Sequence, residues 1–179
     1  EKRGKHSGFY HGNFVPQIPR QFILRYTKKN DIVFDPFLGS GTTAYEAESL
    51  DRNFIGVDIQ EKLIEHVRKT TEPGKNFSDL MVGDSTKAES FKKVKKILEN
   101  YGKNNIQLAI LHPPYADIIK FSNSKDDLSN TKSLKDFLSR FSAVLKNTIE
   151  ILEKDRYLVI VIGDKYAKGQ WIPLGFYCM

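Results

Sequence analysis

The sequence predicts an α/β domain whose mostly parallel sheet is covered by helices on both faces. Short apolar runs alternate along the chain with longer stretches of helical periodicity, and a glycine, a proline or an acidic residue follows most of the runs. Strands that are separated by helices pair in parallel, and a parallel sheet needs helices on both faces to bury it. The 179 residues are enough for one such domain and too few for two.

Five strands and the intervening helices follow from the spacing of apolar residues. The predicted strands are 31–35, 53–57, 79–82, 106–111 and 157–162. A glycine turn after the first strand leads into a helix that runs through Leu50. The inward faces of the later helices are predicted to consist of Leu63, Ile64 and Val67, then Phe91, Val94, Ile97 and Leu98, and finally Leu134, Phe137, Leu138, Phe141, Val144, Leu145, Ile149 and Leu152.

The charge balance is basic. The chain has 28 Lys and Arg residues against 22 Asp and Glu, which makes a formal net charge of +6. A basic surface suits a polyanion such as nucleic acid, because each neutralised phosphate releases counterions. The lysines at positions 92, 93, 95 and 96 are interpreted more simply as the solvent face of a helix. Charge alone therefore does not identify the partner.

Composition also excludes several classes of protein. No apolar run approaches the roughly 18 to 20 residues of a membrane span, and the charged start at 1–6 precedes no apolar stretch of a secretory signal. Cys178 is the single cysteine, so neither an internal disulfide nor a multi-cysteine metal site can form. We expect a protein of the reducing cytoplasm that does not enter a membrane.

Polar and glycine residues follow the predicted strands where a parallel sheet binds its ligands. Such sheets bind ligands beyond the carboxyl ends of their strands, where the strand order reverses. Asp35, Asp58, 83–84 and the segment from His112 onward each come directly after a strand. We therefore expect these four positions to surround one site.

The glycine turn Asp35-Pro-Phe-Leu-Gly-Ser-Gly-Thr-Thr43 joins the first strand to its helix. Its glycines allow a tight turn and close approach of the backbone to a ligand, and the next helix offers free N–H groups. A phosphate-binding P-loop is excluded, because Thr42 stands where that motif has its lysine. The run from Gly39 to Ala44 fits the G-x-G-x-x-A of a nicotinamide site, with Asp58 at the expected distance. This spacing does not choose between a dinucleotide and S-adenosylmethionine.

The residues around the turn resemble the first motif of the DNA amino-methyltransferases, which methylate adenine N6 or cytosine N4. The resemblance spans roughly residues 10–58 and resumes at 110–115. It includes 11–20, which looks like the segment that these enzymes place over the methionine end of the cofactor. The resemblance implies a Rossmann-like S-adenosylmethionine-dependent methyltransferase fold, with 1–30 covering the cofactor site and 31–179 forming the catalytic domain. Because the chain closes on the apolar run 173–179, we expect the last strands of that fold to be missing.

The resemblance also implies which residues bind S-adenosylmethionine. Asp58 matches the acid that holds the ribose hydroxyls, and Asp84 matches the acid that holds the adenine amino group. Asp84 fits equally well as the N-cap of the following helix. The implied cofactor-binding set is Phe14, Pro16, Asp35, Pro36, Phe37, Gly39, Gly41, Thr42, Asp58, Ile59 and Asp84, and no metal is required.

The double-proline loop Leu111-His-Pro-Pro-Tyr115 carries the predicted catalytic residues His112, Pro113, Pro114 and Tyr115. The prolines cannot donate to a ladder, so the loop carbonyls are expected to face the cleft. Acceptors there hold the hydrogens of an aromatic amino group and free its lone pair for attack on a sulfonium methyl. The aromatic ring stacks on the flipped base.

His112 departs from the family pattern, which has Asp, Asn or Ser at this position. Only a neutral imidazole can accept a hydrogen bond, so activity is expected to fall as the pH drops through an unperturbed pKa near 6.5.

Substrate and partners are less constrained. We favour adenine over cytosine as the target, and DNA over RNA bases or a protein amide. The polar stretch 116–135 is a candidate for lining the DNA channel and equally for a plain connection. No base-reading domain is visible, so sequence specificity is expected to come from a further segment, from a specificity subunit or a homodimer, or to be low. A methyltransferase-like subunit that binds cofactor or DNA with little turnover is the main alternative.

Overall fold

In the computed structural model the strands form one parallel sheet. The structure describes residues 14–71, 76–114, 128–131, 133–167 and 169–179. The strands are β1 Ile32–Asp35, β2 Asn53–Asp58, β3 Ser78–Val82, β4 Ile106–Leu111 and β5 Leu152–Ile160. Their order is β3-β2-β1-β4-β5, and every neighbouring pair is parallel. The predicted fold class is therefore confirmed.

Helices connect the strands, and a small hairpin follows β5. The helices are α1 Gln17–Tyr26, α2 Thr42–Ser49, α3 Glu61–Thr70, α4 Ala88–Asn100 and α5 Leu134–Ile149, with a single 3-10 turn at Leu128–Asn130. The hairpin pairs β6 Lys165–Ala167 with β7 Gln170–Ile172, and α6 Leu174–Tyr177 comes last. None of the helices in the described ranges has the length and apolar character needed to cross a membrane.

Each face of the sheet has its own core, because side chains alternate along the strands. On β1, Val33 points into one cluster, while Ile32 and Phe34 point into the other. The first cluster is completed by side chains of α1, α2 and α3: Ile23, Ala44, Tyr45, Ile64 and Val67. The second is completed by side chains of α4 and α5: Phe91, Val94, Leu98, Phe137, Phe141 and Val144. Burial of two layers of apolar side chains is the main driving force for this architecture.

The sheet order places the crevice between β1 and β4. The chain leaves β1 toward β2 on one side and returns through β4 on the other, so the connections diverge at this point. Residues Val33 and Phe34 pair with Leu108 and Ala109 across it. A ligand site is expected beyond the carboxyl ends of these two strands.

The predicted element boundaries fail mainly near β5. Ile149 was placed on the inward face of α5 but is 60% exposed, and Leu152 is the first residue of β5. The strand begins five residues before the predicted 157 and ends at Ile160, because the register with β4 shifts between Ile106 and Leu108. Asp155, which lies within the irregular stretch between Leu152 and Tyr157, has a φ of +62°. The predicted inward faces of α3 and α4 and the exposed lysines of α4 agree with the structure.

Substitution of Gly41 measures how much the close packing of the glycine turn contributes to stability. Its φ is +87°, and a Cβ atom there would lie 2.8 Å from both Val67 methyl groups, whereas Gly102, with φ +64°, has nothing within 4 Å of such an atom. Gly102→Ala should lower the free energy of unfolding by about 1 kcal/mol through backbone strain alone. Gly41→Ala should lower it by about 3 kcal/mol, because the clash with a buried side chain adds to that strain. Urea unfolding of the two variants measures the difference, and equal losses would contradict it.

Candidate functional site

Three loops are tied together at the carboxyl edge of β1, β2 and β3. The N–H of Leu38 donates to the Val57 carbonyl at 3.0 Å, and that of Gly83 donates to the Asp58 carbonyl at 2.9 Å. The Ser85 hydroxyl donates to the Pro36 carbonyl at 2.8 Å. These bonds join the glycine turn to the loops after β2 and β3. The edge is therefore held in one arrangement before any ligand binds.

Asp35 holds the glycine turn through two hydrogen bonds to its buried carboxyl group. Its carboxyl accepts from the Phe37 N–H at 2.9 Å and from the Thr43 hydroxyl at 2.6 Å. The residue is 1% exposed. Burial raises the pKa of Asp35 to about 7, although the two hydrogen bonds oppose this shift. The carboxyl thus links both ends of the turn and does not face the cleft.

Asp58 connects β2 to the same turn. One carboxylate oxygen accepts from the Gly39 N–H and the other from the Gln60 N–H, each at 2.8 Å. Carboxylate oxygens are hydrogen-bond acceptors, which is the chemistry that a ligand hydroxyl requires. Ile59, the next residue, is half-buried at this edge. Asp58 therefore shapes the turn in addition to presenting acceptors at the strand end.

Asp84 has an acceptor with no partner. One oxygen accepts from the Thr86 N–H at 2.8 Å and from the Thr86 hydroxyl at 2.7 Å. The other, Oδ2, is buried and forms no hydrogen bond among the described residues. The N-cap position of α4 belongs to Lys87, so the alternative interpretation of Asp84 as the N-cap is wrong. A buried acceptor without a donor is unfavourable, and a ligand donor would remove that cost.

The remaining residues of the turn differ in exposure. Gly39 and Gly41 have positive φ, and Gly41 caps α2. Pro36, Gly41 and Thr42 are buried behind the turn. Phe37 is half-buried, and its ring stacks on Phe141 with centroids 6.4 Å apart. The backbone at Gly39 and the ring of Phe37 are thus the parts of the turn open to a ligand.

The double-proline loop begins at the next strand end. The Leu111 carbonyl accepts from the Val161 N–H at 2.8 Å, which is the last ladder bond before the prolines. Pro113 is buried and Pro114 is half-buried, whereas Tyr115 lies outside the described residues, as does most of 116–135.

Phe14, which precedes α1, contacts His112. The Phe14 ring meets the imidazole edge to face, with centroids 4.7 Å apart and an interplanar angle of 61°. Burial lowers the pKa of His112 to about 4, so the imidazole is neutral from pH 5 to 8. The expectation that activity falls as the pH drops through 6.5 is therefore corrected, because the fall is now expected near pH 4. Pro16 lies at the start of α1, whose Ile23 is fully buried in the same core as Val33.

The structure adds residues to the predicted set. Thr43 stands inside the motif, but only its contact with Asp35 shows its function in the turn. Ser85 and Asn147 are joined by a 3.4 Å bond from the Asn147 amide to the Ser85 carbonyl, which links α5 to the loop after β3. Helical spacing gave no signal for Asn147, because the contact spans 62 residues.

Solved structures with the same architecture define the class of fold. A TehB-like SAM-dependent methyltransferase from Corynebacterium glutamicum superposes with a TM-score of 0.51 at 15% identity, over 89% of this chain and 67% of its own. A putative methyltransferase from Streptococcus mutans, SMU.1697c, solved in complex with SAH, superposes with a TM-score of 0.53 at 17% identity, over 80% and 69%. The fold is the Rossmann-like fold of the S-adenosylmethionine-dependent methyltransferases.

Sequence comparison shows similarity to DNA methylases. Residues 1–70 match the model of the DNA methylase family N6_N4_Mtase. The Type II methyltransferase M.MjaII of Methanocaldococcus jannaschii is 30% identical over 119 residues, which are 55% of this chain and 21% of that protein. M.HinfI of Haemophilus influenzae is 47% identical over 47 residues, 26% of this chain and 13% of that protein. Residues 1–70 are thus similar to the N6/N4 amino-methyltransferases, and the match to M.MjaII spans about a fifth of the length of that protein.

Asp35 makes stability depend on pH. Its pKa is about 7 in the folded protein against an ordinary value near 3.8. Between these values folding takes up a proton, so the free energy of unfolding falls as the pH rises, with a slope of at most about 1.4 kcal/mol per pH unit. Asp35→Asn cannot titrate and should lack this slope. The check is urea unfolding of both proteins from pH 5 to 8, with the exposed Glu99→Gln as control. A difference between wild type and Asp35→Asn that stays constant with pH would refute the assignment.

Proposed function

We propose that this chain carries the cofactor and catalytic core of an enzyme that transfers a methyl group from S-adenosylmethionine to an exocyclic amino group of a flipped DNA base. One observation carries the proposal. The glycine turn and the double-proline loop follow β1 and β4, the two strands between which the sheet order reverses. Cofactor and acceptor sites would therefore share one cleft.

The residues at the edge fit S-adenosylmethionine. Asp84 Oδ2 is a buried acceptor to which no described residue donates, and an adenine amino group would supply a donor. The Asp58 carboxylate at the end of β2 is an acceptor of the kind that ribose hydroxyls need, and the backbone at Gly39 allows close approach. We assign Phe14, Pro16 and Phe37 to the walls of the pocket. We assign Asp35, Pro36, Gly41 and Thr42 to its support, because they are buried behind the turn.

Transfer would depend on how the protein holds the target amino group. When bound, S-adenosylmethionine would supply a methyl group: the nitrogen–carbon bond forms as the sulfur–carbon bond breaks, S-adenosylhomocysteine is the leaving group, and the methylated nitrogen releases one proton to solvent. Neutral His112 would accept one amino hydrogen, and loop carbonyls at Pro113 and Pro114 the other, which directs the nitrogen lone pair at the methyl group. By resemblance, Tyr115 would stack on the base.

The similar proteins and the net charge both support DNA as the polymer that carries the target base. M.MjaII is a Type II methyltransferase, and the family that residues 1–70 match is one of DNA methylases. A net charge of +6 suits a phosphate backbone. We propose DNA as substrate, with adenine favoured over cytosine, and a specificity subunit or a second copy as the source of sequence recognition.

One observation favours a second candidate function. His112 occupies a position where the family has Asp, Asn or Ser, so the chain would serve as a cofactor- or DNA-binding subunit with little turnover if imidazole cannot replace those acceptors. Binding and transfer must therefore be measured separately.

The Asp84 assignment predicts a change of ligand preference. Asp84→Asn keeps an acceptor for Thr86 but places an amide donor where Oδ2 stands, so affinity for S-adenosylhomocysteine should fall roughly ten- to a hundredfold. The same variant should bind S-inosylhomocysteine more tightly than wild type does, because the inosine oxygen accepts from the amide. Calorimetric titration measures both, with Asp155→Asn as the control for an exposed carboxylate and NAD as the control ligand. If Asp84→Asn leaves the affinities for both ligands unchanged, Asp84 does not contact the bound adenine. Binding of NAD would indicate a dinucleotide site.

The role of His112 is tested by tritium transfer from S-adenosylmethionine to a pool of random-sequence duplex DNA. His112→Ala should lower kcat by roughly a hundredfold or more, because it removes an acceptor that acts in the transition state. His112→Asn should retain most of the rate, since an amide oxygen also accepts.

The pH profile separates this role from simple packing. Because the pKa of His112 is about 4, the ratio of wild-type to His112→Asn rates should be constant from pH 5 to 8. A ratio that falls as the pH drops toward 6 would contradict neutral His112 as the acceptor. No transfer by wild type, with cofactor binding intact, would support the binding subunit.

A further inference from the structure

The β6–β7 hairpin presents two exposed aromatic rings. Tyr166 and Trp171 are 69% and 67% exposed. They pair directly across the two strands, so both side chains lie on the same face, with ring centroids 6.5 Å apart. Large aromatic side chains are rarely left in water as an adjacent pair, and such surfaces commonly mark a binding site.

The hairpin leaves the sheet beside the double-proline loop. Ile160 pairs with Leu111, and the Val161 N–H donates to the Leu111 carbonyl at 2.8 Å, directly before His112. Lys165, the first residue of β6, follows Val161 by four residues. An extended chain of that length reaches at most about 14 Å. The hairpin is therefore confined to the neighbourhood of the candidate catalytic loop.

A polar contact holds the indole in its exposed position. The Trp171 Nε1–H donates to one carboxylate oxygen of Asp164 at 3.1 Å, and the other oxygen accepts from the Gly175 N–H at 3.4 Å. Asp164 thus links the hairpin to the start of α6. The ring is oriented by this bond while its faces remain open to a partner.

We infer that the hairpin is a DNA-contacting arm, in which Tyr166 and Trp171 pack against bases or sugars beside the flipped nucleotide. This inference rests on the proposed function. Every base offers a π-face to an aromatic ring, and the major groove admits a two-stranded ribbon. Lys165 and Gln170 supply a cation and an amide in the same hairpin, as a phosphate backbone with base edges requires.

Trp171 is the single tryptophan of the chain, so all tryptophan fluorescence of the protein comes from the hairpin. Random-sequence duplex DNA should quench its emission and protect it from acrylamide. In anisotropy measurements with labelled DNA, Trp171→Ala and Tyr166→Ala should each weaken binding about tenfold, as loss of one stacking contact does. S-adenosylmethionine binding by the two variants should be unchanged in calorimetry. Tyr101→Ala, which truncates a 45% exposed aromatic after α4, is the matched control.

The outcomes separate this inference from the function on which it rests. The inference of a DNA-contacting arm would be overturned if the wild type binds and methylates DNA, its Trp171 emission does not change, and both variants bind DNA with unchanged affinity. The proposed function would then still stand. A change of emission with protein concentration alone would assign the rings to contact with a second copy, and would also overturn the inference. Absence of DNA binding and of transfer by wild type would overturn both.

Discussion

The carboxyl group of Asp35 is buried at the end of β1, where it bonds to the backbone at the start of the glycine turn and to the Thr43 hydroxyl at the start of α2. A buried carboxyl with these two donors determines where the turn can run. Asp58 then fixes the middle of the same turn through the Gly39 N–H. The shape of the ligand edge thus depends on two acids that bond mainly to the protein itself.

This arrangement changes how a loss of ligand binding in an acidic variant should be interpreted. Removing Asp58 would release the Gly39 N–H and the Gln60 N–H as well as any ribose contact. Asp84 differs, because one of its oxygens holds Thr86 while the other has no partner among the described residues. Of these three acids, Asp84 is the one with a buried oxygen that accepts no hydrogen bond from the described residues.

His112 illustrates how surroundings alter the chemistry of a substituted residue. An imidazole in water would be partly charged near neutral pH and unable to accept. Contact with Phe14 and burial at the end of β4 keep it neutral over that range. In the proposed function, a histidine in this environment can act as an acceptor where related enzymes have Asp, Asn or Ser.

The sequence by itself determined the parallel α/β class, the inward faces of α3 and α4, and the positions after each strand that reach the ligand edge. Apolar periodicity and the meeting of parallel strand ends are local rules, so one chain suffices to apply them. It did not reveal α1 or the hairpin, and it extended α5 to Leu152, where tertiary pairing starts β5 instead.

Only the tertiary structure decided the roles within the edge. The burial of Asp35, the unpartnered oxygen of Asp84 and the Phe14 ring over His112 each arise from residues far apart in the chain. Burial and the supply of hydrogen-bond donors set pKa values and binding capacity. Both depend on how distant segments pack, which residue spacing along a strand or helix does not encode.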